Sequence, residues 1–88
     1  MKPTAREIIK DFLALRLQAG FNEVSSHNFE VDVVKHGVRY WGVKHNPSTY
    51  SRIWRGMKSD GVIEDIDVLD IVEKKTKKSE STWVLLTV

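Results

Sequence analysis

The sequence predicts an α+β domain in which three helices precede a β-hairpin. Three observations carry that expectation. Apolar residues recur at helical spacing through the first two thirds of the chain, punctuated by Gly20, Gly37 and Gly61. Val62–Glu73 and Thr82–Val88 are rich in β-prone residues and frame a polar stretch, Lys74–Ser79, as two strands frame a hairpin tip. The 88 residues suit one such domain, and a 41% hydrophobic, 30% charged composition is that of a folded globular chain.

Helix 1 is expected at about 4–18. Thr4 and Glu7 have the spacing of a capping box, in which the hydroxyl accepts from the N3 amide and the carboxylate from the cap amide. Ala5, Ile8, Ile9, Phe12 and Leu13 then form one apolar face, and Gly20 is a natural stop. Helix 2 is expected at about 28–36, after the polar Ser25–Asn28 cluster. Phe29 and Val33 form its buried side, Glu30 and Asp32 suit its N-terminal dipole, and Gly37 ends it. The run Val31, Val33, Val34 also permits a strand. Val38–Val43 reads as an extended connector or a short strand.

Helix 3, at about 47–59, has the clearest start. Asn46 is a strong N-cap and Pro47 belongs at N1, where its missing amide costs nothing. Tyr50, Ile53, Trp54 and Met57 share one face, and Ser59-Asp60-Gly61 closes the helix. The hairpin occupies about 62–88. Ile66 and Val68 share a parity that Leu69 and Ile71 do not, which predicts a bulge near 68–69.

The net charge of +2 conceals a strong segregation. Val33–Ser59 holds six basic residues (Lys35, Arg39, Lys44, Arg52, Arg55 and Lys58) and no acid. Asp60–Glu73 holds six acids and no base, and Lys74, Lys75, Lys77 and Lys78 follow at once. Such blocks create local potentials that matter more to a charged partner than the net value does.

No cysteine is present, so disulfides and thiolate zinc sites are excluded, and a reducing cytoplasm is the expected setting. Neither a signal peptide nor an apolar run of membrane-spanning length is visible, so a soluble protein is expected. His27, His36 and His45 recur at nine-residue intervals, a spacing no metal site requires, and no metal or other cofactor is expected. His36 and His45 are expected to sit near the basic face and touch phosphates, or to have no role. The acids of Asp60–Glu73 read as solvent-facing strand positions, with Asp65 and Asp67 on one face and nothing to complete a magnesium site. No nucleophile elbow, Walker loop or dinucleotide fingerprint occurs, so no enzymatic activity and no small-molecule substrate are expected.

Asn46-Pro47-Ser48-Thr49-Tyr50, Ile53-Trp54, Met57 and Lys58–Glu64, with Trp83-Val84-Leu85 on a return strand, resemble the third helix and wing of the winged helix-turn-helix family. That resemblance implies double-stranded DNA as the partner, with helix 3 in the major groove and the wing on phosphates. On a helical wheel Ser48, Ser51, Arg52, Arg55 and Ser59 oppose the apolar stripe, with Thr49 and Lys58 at its flanks. Arg52 and Arg55 are then the expected base readers, since an arginine donates twice to guanine, assisted by Ser48, Thr49 and Ser51. Lys58, Lys44, Arg39 and the wing residues Lys74, Lys75, Lys77 and Lys78 complete the expected DNA contacts. A DNA-bound regulator or accessory protein in the cytoplasm, associated with the nucleoid, is the implied setting.

Two other readings remain open at this level. A winged domain can serve as a protein–protein module, here through the acidic strand or an exposed aromatic. Exposed Tyr40 or Trp41 beside basic residues would instead suit unpaired bases. One domain spans about one half-site, so a homodimer or larger protein partner is also expected, with Trp83–Val88 or the flank of helix 1 as the contact.

Overall fold

Helix α1 (Ala5–Gln18) begins as the capping box requires. In the computed structural model, which describes residues 2–77 and 80–87, Thr4 Oγ1 accepts from the Glu7 amide at 3.2 Å and Glu7 Oε1 from the Thr4 amide at 3.1 Å. Ala5, Ile8, Ile9, Phe12 and Leu13 are buried along one face. Arg16, near the end of the helix, lies 5.6 Å from both the Phe12 and Phe21 ring centroids. Its Nη2 donates to the Glu23 carbonyl at 3.1 Å. That contact fastens β1 (Glu23–Ser25), a strand the sequence did not announce. Three residues are too few to display an alternating pattern, and only Val24 is buried.

Helix α2 (Phe29–His36) is a helix and not a strand. Phe29, Val33 and His36 are buried at i, i+4 and i+7. Gly37 does not end it, however. With φ −60° it is right-handed, and the chain runs on as a π-helical turn (Gly37–Trp41), so the short strand expected within 38–43 is absent. Termination falls to Gly42, at φ +63°. Gly37 serves a different need. A Cβ there would lie 2.9 Å from the Tyr50 hydroxyl and 3.1 Å from the Val43 carbonyl oxygen, so the turn approaches the next helix where a side chain would block it.

Helix α3 (Pro47–Asp60) has Asn46 as its cap, with Oδ1 accepting from the Ser48 amide at 3.0 Å, and Pro47 at its start. Tyr50, Trp54 and Met57 are buried, and Gly61 closes the helix at φ +78°. The wing opens later than expected. Ile63 and Val68 form an isolated bridge around a 3₁₀ turn (Glu64–Ile66), with Asp67 left-handed at φ +58°. Asp65 and Asp67 are therefore not neighbours on one strand face. The hairpin strands proper are β2 (Val68–Lys77) and β3 (Glu80–Thr87). Their register shifts between Val68 and Asp70, at the expected bulge. The sheet is antiparallel with order β1-β3-β2.

The three helices and the sheet share one core. Phe29 stacks on Trp54 with centroids 5.0 Å apart, and meets Phe12 edge-on at 6.1 Å. Val24, Ile71 and Leu85 close the core from the sheet side. Among the described residues no helix is long and apolar enough to cross a membrane.

The glycines generate a paired prediction. Gly37→Ala should destabilise the domain by about 1–2 kcal/mol, because a buried hydroxyl and a backbone oxygen must both retreat. Gly56→Ala, on exposed helix with nothing within 4 Å, should stabilise it by about 0.5–1 kcal/mol. Urea denaturation of both variants checks the opposite signs.

Candidate functional site

The side of α3 away from the core carries Ser48, Arg52, Arg55 and Ser59, all exposed. Neither arginine is engaged in an ion pair among the described residues. The serines differ. The Ser48 hydroxyl donates to Asn46 Oδ1 at 2.8 Å, so it reinforces the cap. Ser51 is half-buried, and its hydroxyl donates to Glu30 of α2. Sequence reasoning put no acid at this face because Glu30 is 21 residues distant; packing of α2 on α3 brings it there. Thr49 is half-buried at the flank.

Lys58 links the helix to the wing. Its ammonium lies 4.2 Å from the Trp83 ring centroid and 5.7 Å from that of Trp54. Burial against these rings, reinforced by the neighbouring Arg55 charge, pulls its pKa below the ordinary lysine value, while Glu73 pulls the other way. Glu73 is paired with Trp83, and Lys75 with Ser81 two residues further along the same face. Arg55, Lys58 and Lys75 thus follow one side of the molecule, with Glu73 among them. Lys74, paired with Thr82, belongs to the outer face of the hairpin. Lys74 and Lys75 therefore stand on opposite faces of the hairpin. Of Lys77 only the backbone, paired with Glu80, is described, and Lys78 lies outside the described residues.

Arg39 and Lys44 gather elsewhere. With Lys35 they surround an apolar cleft containing Val34 and Val38. Arg39 also lies 5.5 Å from the Tyr40 ring centroid.

His36 and His45 are held by partners within the fold, His36 beside Lys35 and Arg39. His36 is buried, 2.7 Å from Asp11 Oδ2 through Nε2, and His45 lies edge-on to Tyr50 with Nε2 3.2 Å from the Pro3 carbonyl oxygen. Trp41 is exposed and donates from Nε1 to the same Asp11 oxygen at 3.1 Å. Trp54 is core and Trp83 half-buried, so neither offers a free ring for a base. Asp60, Glu64, Asp65, Asp67, Asp70 and Glu73 are all exposed. Asp65 pairs with Lys10 of α1, whose hydrogen bond and charge hold its carboxyl below the usual range.

Comparison with protein-family models, curated proteins and solved structures gave no match.

Lys58→Met tests the role of the lysine stem. Methionine covers both indoles without the desolvated charge, so thermal unfolding should show stability equal to or above that of the parent. The sign follows from the lowered pKa, because folding disfavours the charged form at neutral pH. A large loss would mean that the ammonium, not the stem, holds the wing on α3.

Proposed function

We propose that this chain is a winged helix-turn-helix domain that binds double-stranded DNA and catalyses nothing. The order of three helices and a three-stranded antiparallel sheet is compatible with that fold. One observation carries the DNA reading: Arg52 and Arg55 stand exposed on α3 opposite its buried stripe, and Lys58 and Lys75 continue their charge toward the wing.

On this reading α3 enters the major groove. Arg52 and Arg55 donate to guanine edges or to phosphates, and Ser48 and Ser59 lie beside them. Lys58 reaches a phosphate at the groove edge while its stem stays on the indoles, and Lys75 reaches the next. Glu30 and Glu73 border the path and oppose a misplaced backbone by repulsion, which narrows the allowed poses. The acids Asp60, Glu64, Asp65, Asp67 and Asp70 then face away from the duplex. A regulator or accessory factor is the role that such a domain would fill.

Fluorescence anisotropy of a labelled random-sequence duplex, titrated at several salt concentrations, tests this. Affinity should fall with a log–log slope of about three to four. Arg52→Ala, Arg55→Ala and Lys58→Met should each weaken binding and reduce the slope by about one, whereas Lys35→Ala should leave it unchanged. Absence of binding at low salt overturns the reading.

A further inference from the structure

Helix α2 presents a second apolar surface, away from the core. Val31 and Val38 are 54% and 48% exposed, and half-buried Val34 lies between them at helical spacing. Two shallow clefts of about 290 and 550 Å³ meet there, sharing Val34 and Lys35. Lys35, Arg39 and Lys44 rim them, and the Glu30 carboxylate at one edge is engaged by Ser51.

The opposite arrangement occurs where α3 passes into the wing. Ile63 and Val68 are bridged and buried, so their chain neighbours Val62 and Leu69 point outward, 48% and 56% exposed. Asp60, Glu64, Asp67 and Asp70 are exposed and flank this pair along the chain, while Arg6 and Lys10 of α1 line the cleft beside Val62, Lys10 being paired with Asp65. The domain therefore carries an apolar stripe with a mainly basic rim and an apolar knob whose rim holds more acids than bases, built on different elements.

We propose that these two surfaces bind each other between copies of this chain, head to tail. Charge complementarity selects the second copy as occupant: both halves of the contact are encoded in one sequence, and like meets unlike only when the two patches differ. Neither patch is self-complementary, so a two-fold dimer through either one would oppose like charges. A heterologous contact repeats into an open array unless its rotation closes a ring. The patches are small beside the roughly 800 Å² per partner of a standard interface, so the association is weak and salt-sensitive. This inference goes beyond DNA binding, uses neither Arg52 nor Arg55, and gives Arg39 and Lys44 a protein contact.

Sedimentation velocity from micromolar to millimolar concentration, at low and physiological salt, provides the test. The average mass should rise with concentration and fall with salt. Lys35→Glu/Arg39→Glu and Asp60→Lys/Glu64→Lys should each stay monomeric, with association weakened at least about tenfold, because each opposes like charges. An equimolar mixture of the two restores opposite charge at both contacts, and should associate to within about threefold of the parent. A parent protein that stays monomeric at millimolar concentration overturns the proposal. So does a mixture of folded variants that stays monomeric. If either variant fails to fold by circular dichroism, amide chemical shifts of the parent decide between dilute and concentrated samples. Changes at both Val31–Lys44 and Asp60–Asp70 support the contact, and changes confined to one patch overturn it.

Discussion

The packing of the three helices depends on the Phe29 ring. It stacks on Trp54 and meets Phe12 edge-on, so one side chain ties α2 to both α3 and α1. An 88-residue chain without disulfides has little other means of fixing three helices, since small domains bury a modest share of their surface. Aromatic rings supply large contact areas with a defined geometry, which limits how the helices can slide. Met57 and Trp54 on α3 extend the same core toward Leu85 and Ile71 of the sheet. The orientation of the exposed arginines is thus a consequence of which face of α3 this cluster takes.

A second constraint is charge placement. The basic window and the acidic run are adjacent in sequence, yet helix and wing geometry distribute them over different faces. Lys10–Asp65 draws part of the acidic run onto α1. Gly61, in a backbone conformation that other residues resist, sets the angle at which the chain leaves α3. A Cβ there would also meet Asp70 Oδ1 at 2.9 Å. The separation of charges therefore rests on backbone geometry as much as on composition.

Much of the architecture was legible because its signals are local. Thr4 with Glu7, Asn46 with Pro47, and the parity change at Leu69 each act within a few residues, and each is found where it was expected. What escaped was decided by distant packing. Gly37 looked like a stop, but its lack of a side chain serves an approach to Tyr50, 13 positions on. Val24 pairs with Trp83 across about two thirds of the chain, so β1 left no trace that three residues could show. Within the site, Arg52 and Arg55 were readable from helical spacing alone. The diversion of Ser51 to Glu30, and of His36 to Asp11, depends on which elements touch.

Lys58 also gives the molecule an optical property. Indole emission responds to nearby charge, and this ammonium lies over both Trp83 and Trp54. Trp41 stands apart beside Asp11, outside that influence. An anion that draws the lysine head outward would change the field at two of the three indoles and leave the third as an internal standard. The domain thus carries a built-in fluorophore pair at the junction of helix and wing, and occupancy of that junction can be followed in unlabelled protein.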